Sequence, residues 1–250
     1  MEVFRKGRTG APTGYFACEA AGLDWLRAAR GVAVVDVLGV GDDHLDLRRL
    51  VPVPPTRQAA SAFGRDLART HDAGAPAFGS PPAGWTGDGF FGPLDQPLPM
   101  RAGSYAGWGQ FLADCRLDPL ADALDDPECA DALRRVGDRL RSGVLDDDEP
   151  PARLHGDLWS GNVVWTADGV TLIDPAAHGG HRETDLAMLA LFGLPFLAEV
   201  LAGYRAVHPL RTGWERRTGL HQLYPVGVHA LLFGGGYRAQ LLRLAGEWRA

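Results

Sequence analysis

Apolar positions recur at two periods along this chain, and the changes of period mark its elements. Phe16, Ala20, Leu23 and Leu26 fall three or four apart, which predicts a helix over 14–30. Residues 1–8, 32–40 and 44–50 read as short strands, the last two joined at Gly41-Asp42-Asp43. Val51-Pro52-Val53-Pro54-Pro55 breaks regular structure and predicts a boundary between a small unit, 1–52, and a larger one, 53–250. Thr56 is placed to cap a helix running to about His71. Residues 73–103 are dense in Gly and Pro and predict a long loop, which Trp85, Phe90 and Phe91 would pack against something. Helices are expected at 104–124 and 127–142, with Asp126 as a cap and Pro127 in the first turn of the second. Asp146-Asp147-Asp148-Glu149 reads as an exposed, solvated turn. Helical spacing returns at 184–192, 195–207 and 214–245.

Between the last two groups of helices the period is two. Val163-Val164-Trp165 and Val170-Thr171-Leu172-Ile173 flank Thr166-Ala167-Asp168-Gly169, and Asp-Gly is a strong hairpin signal. A hairpin returns its ends to one place, so Asn162 and Asp174 become neighbours. Just upstream stands His155-Gly156-Asp157-Leu158-Trp159-Ser160-Gly161-Asn162. An aspartate and an asparagine at this spacing, with a second aspartate beyond a hairpin, match the catalytic and metal positions of kinase loops. Phosphoryl transfer needs an oriented hydroxyl and cations on the phosphate oxygens. Asp157 supplies the first, and Asn162 with Asp174 would hold magnesium through hard oxygens. A polar turn rich in Asp and Asn is the plain alternative.

Composition narrows the class. The net charge is −6 and the pI near 5.7, which argues against a nucleic-acid or anionic-membrane surface. No apolar run reaches membrane-spanning length. Cys18, Cys115 and Cys129 form no CxxC, so free thiols and a cytoplasmic setting are the expectation.

The strings LHGDLWSGNVVW, LIDPAAHGGHRETDLAMLALFG, HPLRTGW and LHQLYPVGVHALLFGGGYRAQ resemble the fructosamine/ketosamine kinase family, within the aminoglycoside-phosphotransferase and protein-kinase-like group. The likeness is dense from about 153 to 240, with weaker echoes in GWTGDGFFGPL and ACEAAGLDWL. It implies an α+β, protein-kinase-like two-lobed fold with a truncated N-terminal β lobe and a mainly helical C-terminal lobe. It also implies ATP and Mg2+ as cofactors, and a small-molecule ketoamine as acceptor, free or on a glycated protein. Asp157 matches the family's base, and Asn162 and Asp174 its metal ligands. Lys6 matches the strand lysine on the nucleotide phosphates and Glu19 the helix glutamate that orients it. Arg48, Arg49 and Leu50 stand where the nucleotide hinge belongs.

Two departures from the family pattern carry expectations. The chain enters at the lysine strand, without the strands and glycine-rich loop that usually cover the phosphates, which implies weak ATP binding. Arg48 presents an unusual hinge edge. Trp159, His178, His181, Glu183 and Trp214 are the candidate acceptor-pocket residues. His155 and Asp185 are expected to hold the catalytic loop by hydrogen bonds, and Arg182 to meet the substrate or Glu183. The other readings are a kinase of an aminoglycoside- or choline-like amine, or a catalytically weak nucleotide-binding relative. The arginines of 195–245 disfavour an aminoglycoside pocket.

Overall fold

The computed structural model describes residues 2–248. The chain opens with β1 (Val3–Gly7), α1 (Tyr15–Ala28), β2 (Ala33–Val34), β3 (Val37–Val40) and β4 (His44–Arg48). β4 lies between β1 and β3, antiparallel to both, and sets Lys6 opposite Leu45. Along β4 burial alternates, so Leu45 and Leu47 meet Phe16, Leu23 and Leu26 of α1. The strand expected over 32–40 divides at Val35-Asp36. Its first half pairs parallel with a strand far along the chain, Gly169–Leu172, and its second half with β4, so it joins two sheets.

Next comes α2 (Arg57–Asp72), whose first turn is capped by Thr56 Oγ1, accepting from Ala59 N at 3.1 Å. The Gly/Pro-rich stretch is not one loop. It carries a short hairpin, β5 (Gly89–Phe91) and β6 (Leu98–Met100), which Pro and three-residue strands hide from a period-two search. The helix expected at 104–124 starts later, as α3 (Trp108–Leu112). It then passes through a π turn (Ala113–Leu117) into α4 (Asp118–Ala123). α5 (Pro127–Arg141) has the Asp126 cap, accepting from Cys129 N.

β7 (Ala152–Leu154) leads to the catalytic-type loop, and β8 (Val163–Thr166) with β9 (Gly169–Leu172) forms the hairpin. β10 (His178–Gly180), glycine-rich and unforeseen, pairs with β7. Helices α6 (Arg182–Leu191), α7 (Leu197–Val207), α8 (Trp214–His221), α9 (Leu223–Phe233) and α10 (Gly236–Trp248) complete the described chain. The single helix expected over 214–245 is three: it is interrupted at Gln222, and again at Gly234 and Gly235, which take φ of 61° and 59°. α2 and α7 touch backbone to backbone: a Cβ on Gly64 would lie 1.9 Å from the Val200 carbonyl oxygen. Phe63, Leu67, Leu158, Leu172, Leu189 and Tyr204 form the core beneath the hairpin. Among the described residues no helix is long and apolar enough to cross a membrane.

The acidic turn is not solvated as a whole. Glu149 is buried and pairs with Arg182 at 2.9 Å and Arg211 at 3.2 Å. Asp147 meets His181 and Arg217, both at 3.1 Å. These basic partners lie more than thirty positions away in sequence, beyond the reach of local pattern.

Candidate active site

The 155–162 loop and the turn after β9 are stitched into one piece. Ile173 N donates to Asn162 O at 3.2 Å, continuing the hairpin pairing by one residue. His155 Nε2 donates to Ile173 O at 2.8 Å, and its Nδ1 accepts from Asp157 N at 3.3 Å. These two partners define the tautomer. Asn162 Nδ2 donates to Asp157 O (2.8 Å), Asp157 Oδ2 (3.2 Å) and Asp174 O (3.4 Å). Its amide hydrogens thus face the protein, which leaves Oδ1 for another partner. Gly156 is required by both conformation and space: φ is 83°, and a Cβ would come within 2.1 Å of Ala176 O. Asp174 also has a positive φ, 53°, immediately before Pro175, a strained conformation of the kind found at functional turns.

Asp185, fully buried on α6, supports the loop from below. Its carboxylate accepts from His155 N (2.8 Å), Gly156 N (3.0 Å) and His71 Nε2 (3.2 Å). Burial works to raise its pKa, but the bond and charge of His71 outweigh that and hold it below the ordinary value.

Three elements bring one cation and two carboxylates together. Lys6 Nζ on β1 lies 2.7 Å from Glu19 Oε2 on α1 and 3.2 Å from Asp174 Oδ1. Burial opposes the Lys6 charge, but Glu19 and Asp174 more than restore it, so the pKa is raised. Asp157 is pushed up to about 7, by burial above all and then by the negative charge of Asp174, against the bond from Asn162. A carboxylate so placed holds or yields a proton near neutrality.

These groups open on a cleft of ≈ 320 Å³. Lys6, Glu19, Asp157, Asn162, Asp174 and Trp159 line it. The β5–β6 hairpin forms one wall through Phe90, Phe91 and Leu94, and Arg8 Nη1 donates to Leu94 O at 2.6 Å. Phe192 and, from α9, His229 and Phe233 form the other. Only the aromatic content of 85–91 hinted at these walls. The α9 residues carried no signal, because their face of the helix looks like ordinary apolar spacing.

The remaining predicted residues lie elsewhere. Arg48 pairs with Asp36 at 3.0 Å, and Arg49 sits over the Phe4 ring; neither lines the cleft. Leu50 packs onto the α1 core. His178 is buried against Phe111, its Nδ1 bonded to Ala176 O at 2.8 Å. His181 caps α6, its Nδ1 accepting from Glu183 N at 3.1 Å. Glu183 accepts from Arg217 Nε at 2.8 Å, and Trp214 opens α8 outside the cleft. Arg182 meets Glu149 and Asp72 rather than Glu183. Ligand-type atoms of His181, Glu183 and His221 all fall within 4.8 Å of one another, but Arg217 already supplies the cation that the carboxylates there need.

The class of protein follows from fold and cleft together. An aminoglycoside phosphotransferase of known structure matches 98% of this chain and 93% of its own, with a TM-score of 0.57 at 16% identity, a likeness of fold alone. The protein thus has the α+β, kinase-like fold of small-molecule phosphotransferases, with a lysine–glutamate pair and an aspartate loop facing one cleft. Residues 1–247 match the model of the fructosamine kinase family, and the chain belongs to that family. A Thermus thermophilus protein named as a ketoamine kinase is 35% identical over 234 residues, 93% of this chain and 82% of its own. A crystal structure from Thermobifida fusca, titled as a fructosamine-3-kinase, is 44% identical with a TM-score of 0.87, covering 98% of this chain and 84% of that one.

Proposed function

We propose that this chain is an ATP-dependent kinase that phosphorylates a sugar hydroxyl of a ketoamine. Asp157 accepts the hydroxyl proton as the sugar oxygen bonds to the γ-phosphorus. The bond from that phosphorus to the bridging oxygen breaks, and ADP leaves. Lys6 neutralises phosphate oxygens, and Glu19 holds its long stem in place. The observation that carries this reading is the convergence of Asp157, Lys6 and Asp174 on one cleft, on a loop stitched from both sides.

The donor set fits a hard divalent cation. Asn162 has its amide hydrogens engaged and Oδ1 free, and Asp174 keeps a half-exposed carboxylate beside it. Asn162 and Asp174 would hold Mg2+, which neutralises the charge on the phosphate oxygens. The ketoamine is a small molecule, or a glycated amine on a protein. A division into 1–52 and 53–250 is part of the proposal, supported by the cluster that α1 and β4 build with Val34 and Val35, to which Ala177 is the one buried addition from beyond residue 52. So is a cytoplasmic setting, supported by three unpaired cysteines. The test is ADP release with Mg-ATP against fructosamines, ribulosamines and aminoglycosides. Turnover confined to the ketoamines is the expected result; preference for an aminoglycoside, or no turnover of any, would overturn the reading.

A further inference from the structure

The lining of the cleft is of two kinds. Lys6, Glu19, Asp157 and Asp174 bring the charges. Trp159, Phe192, Val228, His229, Leu232 and Phe233 bring rings and apolar surface, with no carboxylate, lysine or arginine among them. Three of these are among the large apolar side chains most open to solvent: Phe233 at 63%, Trp159 at 39% and Phe192 at 36%. Their rings run in a chain, Trp159 to Phe192 at 6.0 Å, Phe192 to His229 at 5.0 Å and His229 to Phe233 at 5.5 Å. Exposed rings grouped at the mouth of a cleft mark a binding surface rather than core.

His229 adds direction. Its Nδ1 bonds to Pro225 O at 2.7 Å, one turn back on α9, so Nδ1 carries the hydrogen and Nε2 the lone pair. Among the described residues none hydrogen-bonds to Nε2. A ketoamine has a sugar at one end and at the other a secondary amine, protonated near neutrality, whose N–H bonds can donate. Placed with its sugar hydroxyl at Asp157, it can extend that nitrogen toward His229 Nε2 in the same cleft.

Building on the kinase reading above, we propose that Phe192, His229 and Phe233 form the subsite for the nitrogen end of the ketoamine. His229 Nε2 accepts the substrate N–H, and the two phenylalanine rings receive an uncharged apolar or aromatic N-substituent. A carboxylate next to the nitrogen, as in an adduct of glycine, finds no lysine or arginine among these rings and is paired only by the substrate's own ammonium, so it loses hydration with little compensation.

The test is steady-state kinetics at saturating Mg-ATP with the fructosyl adducts of benzylamine and of glycine. The wild type should prefer the benzylamine adduct by about tenfold or more in kcat/KM, through KM, as desolvating an unpaired carboxylate and stacking an aromatic group both require. Phe233→Ala should bring that ratio below about threefold without lowering Tm, since the ring it removes is mostly in solvent. His229→Ala should raise KM for both adducts by about fivefold, the worth of one hydrogen bond, with kcat little changed. His229→Gln, which keeps an acceptor, should recover part of that loss. Equal kcat/KM for the two adducts, a ratio unmoved by Phe233→Ala, or an unchanged KM in His229→Ala overturns the subsite. Turnover of neither adduct overturns the kinase reading itself, and the subsite with it.

Discussion

Asp185→Asn should cripple the enzyme without any change in the cleft lining. The carboxylate takes three donors, His155 N and His71 Nε2 on Oδ2 and Gly156 N on Oδ1. An asparagine has one acceptor oxygen. Placed at Oδ2, it keeps two of the three bonds and turns an NH2 group toward Gly156 N, donor against donor. The variant thus loses one charge-assisted bond, leaves one buried N–H without a partner, and weakens the other two by removing the charge. Each such loss is worth about 1–3 kcal/mol, so about 2–4 kcal/mol in all, since an amide also costs less to bury than a carboxylate. For a chain of this size that lowers Tm by about 5–15 °C. Asp157 follows Gly156 directly, so a loop released at Gly156 misplaces the proposed base, and a shift of about 1 Å can cost about 100-fold in rate. Thermal unfolding and kcat at 20 °C, well below the transition, are the two assays. A wild-type Tm would refute the bond accounting. A lowered Tm with wild-type kcat would show that Asp185 stabilises the fold without positioning the base.

Two further outcomes follow from the same geometry. Asp174→Ala should depress magnesium-supported turnover more than Asn162→Ala, because a carboxylate offers charge to a hard cation and an amide only a dipole; a magnesium titration showing the reverse order contradicts the proposed shell. Stability should fall as pH drops from about 6.5 toward 4, because four buried histidines, His71, His155, His178 and His221, refuse protons that the unfolded chain takes up, and they outnumber Asp157 and Glu19, whose raised pKa values work the other way. Burial lowers His178 from 6.5 to about 3 and His221 to about 4, and each contribution is lost progressively below pH 6.5. Burial acts to raise Glu183, but the nearby His221 and the bonds from Arg217 hold it at about 2, so its share is lost only as pH falls from about 4.5 toward 2. A Tm unchanged between pH 7.5 and pH 5 would contradict this.

What was legible in the sequence was what local chemistry dictates. The β8–β9 hairpin follows from Asp168-Gly169 between two β-prone runs, and the turn falls there in the structure, with Gly169 at φ 118°. The caps at Thr56 and Asp126 needed only the residue and the helix after it. The convergence of Asn162 and Asp174 is a consequence of the hairpin. Asp185 and His155 make the loop bonds expected of them. What was not legible depends on distant partners. Glu149 reads as solvated until Arg182 and Arg211 are brought to it. His178, His181 and Glu183 look like pocket residues by nearness in sequence to Asp174, but β10 pairs with β7 and carries them away from the cleft. Phe192, His229 and Phe233 share the cleft only because the helices after α6 fold back over it.

Asp157 as the acceptor of the hydroxyl proton is the centre of the proposed mechanism. Its decisive measurement is kcat of Asp157→Asn with a ketoamine at saturating Mg-ATP, alongside calorimetric titration of the nucleotide. The replacement is isosteric, and a positioned general base contributes about 10²–10⁴-fold. A loss of that size, with nucleotide affinity and Tm little changed, is the expected result. Turnover within a few-fold of the wild type would contradict it.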